Sequence, residues 1–162
     1  MTRRFSSVAL AALACLVGIV DSASAQSRQA TIAIPAGVSF NVVDPAVSTT
    51  GNPNPFRVTI TNGSVRGGER IYVSVKADTT NFSGPGTTRI PASKVSWTAT
   101  AVNGGTASAG TLSSTAYFQV YRTRTNPGSG AVDMTWRLAA PAAAGLRAGT
   151  HSLTVRWRVE AF

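Results

Sequence analysis

The chain has 162 residues, 43% of them hydrophobic, and fifteen Lys and Arg residues against six Asp and Glu give it a formal charge of +9. It contains one cysteine and one histidine. These totals exclude a disulfide framework, which needs paired cysteines, and a zinc site built from several Cys and His ligands. They leave a basic chain of single-domain size that is long enough to bury a core.

The first 25 residues have the layout of a secretory signal peptide. Arg3 and Arg4 provide a positive start, residues 8–20 form an apolar run, and residues 23–25 (Ala-Ser-Ala) form a small-x-small cleavage site. The apolar run is shorter than the roughly 18 residues of a membrane-spanning helix, so no transmembrane segment is predicted. Ordinary export with cleavage before Gln26 is the favoured interpretation. The arginine pair and Cys15 leave a twin-arginine signal and a lipoprotein anchor as alternatives.

Export predicts a secreted, periplasmic or cell-surface location and a mature domain of residues 26–162. Removing the leader takes away Cys15, so disulfides play no part in the mature domain. It leaves thirteen basic and five acidic residues, a formal charge of +8. This balance favours acidic partners such as surface polyanions. The competing interpretation is that the charge only keeps an exported protein soluble.

Apolar and polar residues alternate along most of the mature chain, and Gly, Pro and Asn separate the alternating segments. In chain order, the predicted strands are residues 30–34, 38–43, 56–61, 71–77, 95–101, 115–122, 132–138 and 153–159. A turn is predicted at Asn62–Gly63. Residues 79–93 and the alanine-rich residues 139–149 are predicted to be loops, because both are rich in Pro and Gly.

The spacing of these strands predicts an all-β protein, a single immunoglobulin-like antiparallel β-sandwich of about seven or eight strands. Trp97, Trp136 and Trp157 alternate in phase with aliphatic neighbours, so we expect them in the core; an exposed tryptophan platform for carbohydrate is the alternative. Tyr72, Tyr117 and Tyr121 are out of phase with their apolar neighbours and are therefore predicted to lie at the surface.

The residues that enzymes use are scarce in this chain. His151 follows a glycine turn, where we expect an exposed edge histidine rather than the base of a triad with Asp133 and one of many serines. The mature carboxylates are isolated from one another in the sequence. The sequence shows no nucleophile elbow, calcium loop, zinc spacing or phosphate loop. The prediction is a non-enzyme without catalytic, metal or cofactor sites.

A basic segment with aromatic residues runs through "YFQVYRTR", residues 117–124. Arg122 and Arg124, together with Arg156 and Arg158 of the last strand, form a candidate patch for an anionic polysaccharide or another surface polyanion. Export argues against nucleic acid as the partner. The competing interpretation is a solvated outer face whose arginine stems cover apolar surface.

The chain ends on the alternating segment "AGTHSLTVRWRVEAF". Gly149 is the fourteenth residue from the end, counting Phe162 as the first, and Val159, Trp157 and Val155 are the fourth, sixth and eighth. This ending resembles the C-terminal strand of chaperone–usher pilins and the "AGxYxxxVxVxV" ending of spore-coat-U-like domains. The penultimate tyrosine of that family is Ala161 here, and its common cysteines are absent.

The resemblance implies an incomplete sandwich that a strand from a neighbouring chain completes. It implies a strand offered to a periplasmic chaperone or to like subunits, with the candidate assembly residues Leu153, Val155, Trp157, Val159 and Phe162. Residues 29–34, "QATIAI", would then be the donor segment. The first hypothesis is therefore a fimbria-like or surface-coat subunit that assembles by strand pairing. The second is a self-contained sandwich that binds a polyanion through its arginines.

Overall fold

A computed structural model describes residues 28–85, 89–139 and 147–162. The described chain is all-β and antiparallel, and a single 3-10 turn, Ala92–Lys94, is its only helical element. The strands are β1 (Gln29–Ala33), β2 (Val38–Val42), β3 (Thr49–Thr50), β4 (Phe56–Ser64), β5 (Ile71–Ala77), β6 (Asn81–Ser83), β7 (Arg89–Pro91), β8 (Val95–Asn103), β9 (Gly105–Ala107), β10 (Gly110–Thr111), β11 (Phe118–Thr123), β12 (Gly130–Leu138), β13 (Gly149–Leu153) and β14 (Val155–Ala161).

The described strands form three sheets around one core. Sheet A has the order β1-β4-β12-β8-β10, with β3 beside the end of β12; sheet B has the order β2-β13-β6-β7; sheet C has the order β14-β5-β11-β9. Buried apolar residues from all three sheets belong to one hydrophobic cluster. Sheets A and C face each other across it, since the rings of Phe56 on β4 and Trp157 on β14 stack with centroids 5.9 Å apart. The architecture is therefore that of a β-sandwich, as the alternation predicts.

The central strand β12 shows how the alternation builds this core. Val132, Met134, Trp136 and Leu138 are buried, whereas Arg137 between them is exposed. Because successive side chains of a strand point to opposite faces, four apolar residues at alternate positions form one continuous buried face. β12 pairs with β4 on one side and β8 on the other, so this face lies at the centre of sheet A.

Two of the three tryptophans anchor the core as predicted. Trp97 and Trp136 are fully buried, with ring centroids 5.4 Å apart, and Trp136 meets Phe56 edge-on at 6.0 Å. The Trp97 Nε1–H donates to the Ser108 carbonyl at 2.9 Å. Trp157 points inward but is only half-buried, because it lies on a strand at the edge of its sheet.

The predicted turn at Asn62–Gly63 is wrong, because β4 continues through these residues to Ser64. Asn62 takes a left-handed φ of 54°, which distorts the strand without reversing it. The chain reverses after β4 near Gly68, whose φ is 87°. Residues 79–93 are also more regular than predicted, since β6 and β7 pair antiparallel within them. The predicted leader and most of the alanine-rich loop lie outside the described residues.

The predicted terminal strand is two strands that belong to different sheets. β13 pairs with β2 in sheet B, whereas β14 pairs with β5 in sheet C, and the break between them is at Thr154. The first strand region divides in the same way, because β1 pairs with β4 in sheet A and β2 pairs with β13 in sheet B. The two ends of the described chain therefore meet along one side of the sandwich.

The two long sides of the sandwich differ. On one side the chain crosses from β8 in sheet A to β9 in sheet C through Gly104, whose φ is 66°, and returns to sheet A at β10. On the other side lie β1 and β14, which are the edge strands of sheets A and C. A crossing chain therefore covers the first side, while the second carries two edge strands. We call the second side the open side.

Candidate functional site

The open side carries a row of backbone groups that face outward from β14. Arg70 and Phe162 exchange both backbone hydrogen bonds, at 3.0 and 3.2 Å, and the Asp78 N–H donates to the Thr154 carbonyl at 3.1 Å. In an antiparallel pair, alternate residues exchange such bonds, so the even-numbered residues of β14 direct their N–H and C=O groups to β5. The odd-numbered residues direct theirs to the outer edge, where no described strand lies beside β14. These residues are Val155, Trp157, Val159 and Ala161.

The side chains of the same odd-numbered residues point into the sandwich. Trp157 stacks on Phe56, and Val159 faces β1, yet Val159 stays 41% exposed. The side chains of Val155 and Ala161 are half-buried. Among the candidate assembly residues, Leu153 belongs to β13 and is buried. The apolar face of β14 is only partly covered.

An apolar groove of about 380 Å³ runs along the open side between β1 and β14. Ile32 of β1, Val65, Ile71 of β5 and Val159 line its floor and walls. A second hollow of about 210 Å³ follows it, between Ile34 and Trp157. The sequence pattern does not distinguish Ile32 and Ile71 as groove residues, because their alternation is that of any core residue.

The candidate donor segment lies in its own chain's sheet. β1 pairs antiparallel with β4, with Ile32 opposite Ile60 and Gln29 opposite Ser64. The Arg28 guanidinium forms an ion pair with Glu69 at the start of β1, where its Nε donates at 3.0 Å. This hydrogen bond to Arg28 lowers the pKa of the Glu69 carboxyl. The pair therefore holds the first strand along one wall of the groove.

The outer face of sheet C collects three of the four candidate arginines. Arg156 and Arg158 lie on β14, and Arg122 on β11 is opposite Tyr72, which is in turn opposite Glu160. Directly opposite residues share a face. Arg124 follows the end of β11, where its backbone N–H donates to the Gly104 carbonyl at 2.7 Å, so it is placed beyond the paired strands.

Two of these arginines already have acidic partners within the chain. Arg156 is paired with Asp78, and the Arg158 Nε lies 3.1 Å from the Glu160 carboxylate. The Arg122 Nε is buried and has no hydrogen-bond partner among the described residues. All four arginine and acid side chains of the two pairs are substantially exposed, so solvent screens them and they contribute little to stability.

Aromatic rings accompany the cations on the outer face of sheet C. The Arg158 guanidinium lies 4.5 Å from the Tyr117 ring centroid, and the Lys76 ammonium lies 5.1 Å from it. The rings of Tyr72 and Phe162 stack at 4.3 Å, which holds the last residue against the sheet. The prediction that Tyr72 and Tyr117 lie at the surface is confirmed, since both side chains are half-exposed on this outer face.

Tyr121 is instead fully buried, which corrects the prediction for this residue. The register of β11 against β5 shifts between Gln119 and Tyr121, so Val120 forms a bulge that reverses the alternation. Tyr121 consequently faces the core, and its hydroxyl donates to the Asn103 carbonyl at 2.5 Å. Burial raises its pKa above the usual value of a tyrosine.

His151 is also fully buried, contrary to the expectation of an exposed edge histidine. It lies on β13 opposite Phe40 of β2, and its Nε2 is 3.0 Å from the Arg147 carbonyl, to which it donates. Its Nδ1 has no hydrogen-bond partner among the described residues. Asp133, considered as its triad partner, is held on sheet A by Arg57, whose guanidinium donates twice at 2.6 Å.

Within the described residues, no group of three or more His, Cys, Asp or Glu side chains is placed to hold a metal ion. The same residues contain no helix with the length and hydropathy needed to cross a membrane. Comparison with known proteins finds no matching family model, curated protein or solved structure.

Proposed function

We propose that this protein is an exported, non-enzymatic structural or binding subunit that assembles by β-strand pairing on its open side. Its sandwich is immunoglobulin-like in this proposal, and β14 is the strand offered to a partner. The resemblance of the C-terminal segment to chaperone–usher pilins and spore-coat-U-like subunits points in the same direction. In those families the last strand is the one that a chaperone or a neighbouring subunit pairs with.

The observation that carries the proposal is the outward-facing ladder of β14 beside an apolar groove. An edge strand with unpaired N–H and C=O groups is a template for another strand. Backbone pairing supplies affinity in such additions, and pockets for alternate side chains supply specificity. Here both parts are present, since Val155 to Ala161 offer the backbone and the groove offers room for apolar side chains.

The placement of β1 favours an acceptor role for the open side. Because β1 is paired with β4, the open side in this proposal receives a strand from a partner rather than donating one. A fimbria-like chain of subunits would require residues 29–34 to leave β4 and enter a neighbour's groove. Strand addition to β14 requires no such release.

Val159→Pro tests the proposal with little cost to the fold. The Val159 N–H faces the outer edge, so proline removes a donor that sheet C does not use. We expect the variant to fold but to pair with a strand about tenfold more weakly, because one hydrogen bond is lost. Val159→Thr is the matched control, because it keeps both the N–H and the shape of the side chain.

Two measurements apply to each variant of the intact protein. Sedimentation equilibrium over a wide concentration range measures self-association, and fluorescence anisotropy measures binding of a labelled peptide of residues 29–34 flanked by lysines. The proposal requires at least one association that the proline variant weakens and the threonine variant keeps. Equal behaviour of the two variants in both measurements would overturn it.

A second candidate function is binding of an anionic polysaccharide to the outer face of sheet C. The observation that favours it is that Arg122, Arg156 and Arg158 share this face with Lys76 and two tyrosines. Replacing Arg122, Arg156 and Arg158 by Ser should shift elution from heparin to clearly lower salt. Replacing Arg57, Arg89 and Arg137, which lie elsewhere, is the control of equal charge. The same elution for both triple variants rejects this function.

A further inference from the structure

We infer that the strand that pairs with β14 is the β14 of a second copy, in antiparallel register around a two-fold axis at Arg158. This inference rests on the proposed function, because it names the partner of the same edge. An isologous contact of this kind closes at a dimer. It would join sheet C of both copies into one continuous sheet.

The backbone geometry of β14 fits a copy of itself. Antiparallel pairing centred on Arg158 places Val155 opposite Ala161 of the partner subunit and Trp157 opposite Val159 of the partner subunit. These are the residues whose N–H and C=O groups point outward. Every outward group of the strand is then used, and Arg158 falls at the non-hydrogen-bonded position on the axis.

The side chains match in the same register. On the outer face, Arg156 lies opposite Glu160 of the partner subunit, and the two-fold axis forms this pair twice. Arg156 keeps Asp78 as a neighbour within its own chain, and each Glu160 then lies between two arginines, Arg158 of its own chain and Arg156 of the partner subunit. On the inner face, Trp157 lies beside Val159 of the partner subunit and covers an apolar side chain that is 41% exposed in one chain. The groove beside it, with Ile32 and Ile71, is covered at the same time.

The like charges on the axis oppose this pairing, but neighbouring groups reduce the effect. Each Arg158 has its own Glu160 carboxylate at 3.1 Å and the Tyr117 ring at 4.5 Å. Each guanidinium is therefore partly neutralised before the two meet, and it lies at the solvent-exposed face where water screens it.

The neighbouring registers fit less well. A shift of two residues in one direction places Arg156 against Arg158 of the partner subunit twice, which pairs like charges. A shift of two in the other direction moves Trp157 from Val159 to Ala161 of the partner subunit, so Val159 no longer lies opposite the large ring that covers it. A shift of one residue brings outer side chains against inner ones, which a pleated pair does not tolerate.

A cysteine on the axis tests the inference directly. Arg158→Cys, in a chain carrying Cys15→Ser, places two thiols opposite each other at a non-hydrogen-bonded position, with Cα atoms about 4.5 Å apart, inside the range that a disulfide bridges. The control is Arg156→Cys in the same chain. Its two thiols lie on strand positions about 14 Å apart in the dimer, beyond the reach of a disulfide.

Both variants are incubated with a mixture of reduced and oxidised glutathione under dilute, native conditions, in which glutathione disulfide is the oxidant, and the disulfide-linked dimer is measured by non-reducing gel. We expect at least about tenfold more dimer from Arg158→Cys, because pairing raises the effective concentration of its thiol. Adding Val159→Pro should reduce this yield to that of the control. Equal yields from Arg158→Cys and Arg156→Cys would overturn the inference.

The result separates this inference from the proposed function. If Arg158→Cys shows no preference, yet Val159→Pro still weakens an association that Val159→Thr keeps, β14 pairs with a strand other than its own copy. If the proline has no effect on any association, strand pairing itself is refuted. Urea unfolding of each variant verifies that the loss of association does not come from loss of the fold.

Discussion

Tyr121 and Tyr72 provide the most direct test of the described core, because the sequence pattern treats the two residues alike and the structure separates them. Tyr121 is fully buried and its hydroxyl donates to the Asn103 carbonyl at 2.5 Å. Tyr72 lies half-exposed on the outer face of sheet C, stacked on Phe162. The perturbation is removal of one hydroxyl at each position, Tyr121→Phe and Tyr72→Phe.

The expected magnitudes follow from these surroundings. Tyr121→Phe keeps the ring and removes one buried hydrogen bond, which lowers the free energy of unfolding by about 1 to 1.5 kcal/mol. A domain of this size then melts about 3 to 6 °C lower. Tyr121→Ala also empties the ring's space and should cost about 3 to 5 kcal/mol. Tyr72→Phe leaves no buried group without a partner, so we expect a change within about 0.5 kcal/mol.

Urea unfolding followed by tryptophan fluorescence measures all three variants, because Trp97 and Trp136 are buried reporters. A pH series adds an independent check. Burial raises the pKa of Tyr121, so the unfolded chain loses this proton first, and the free energy of unfolding falls as the pH rises above about 10. Tyr121→Phe should lack this part of the alkaline loss. Equal stability of Tyr121→Phe and Tyr72→Phe, or a nearly neutral Tyr121→Ala, would refute the inward placement.

Two further predictions concern packing and pH. Gly110→Ala should destabilise the fold by about 1 to 3 kcal/mol in the same urea assay, because the added Cβ would lie 2.5 Å from the Trp97 ring; Gly37→Ala, with no described atom within 4 Å of its Cβ, should not. Asp133→Asn should flatten the acid side of the stability profile. Its hydrogen bond to Arg57 lowers the carboxyl pKa, so this contribution is present above about pH 4 and is lost as the pH falls through the folded value. An unchanged acid profile in Asp133→Asn contradicts the assignment.

The candidate site was predictable in part. The alternation of Leu153, Val155 and Trp157 predicted a candidate assembly strand, and the structure places the last two of these residues on an edge strand beside a groove. The groove itself could not be predicted, because Ile32 and Val159 carry the same pattern as fully buried residues. Their partial exposure depends on which strand lies beside them, and residues distant in the sequence decide this.

The arginine patch shows a similar limit. Arg156 and Arg158 are two residues apart on one strand, so their common face follows from the pleat alone. Arg122 joins them only because β11 and β14 flank β5 in the same sheet and because the bulge at Val120 sets the phase of β11. Arg124 has the same residue type and nearly the same position in the sequence, but it lies past the end of the paired strand.

The sequence by itself determined the fold class and most of the core. Side chains alternate along any strand, so the positions of the apolar residues of β12, from Val132 to Leu138, predict its buried face without reference to other strands. Only the tertiary structure decided the bulge at Val120, the change of sheet at Thr154 and the open edge of β14. The physical reason is that alternation is a local property of the backbone, whereas a strand's neighbours are chosen by packing and hydrogen bonding between distant segments.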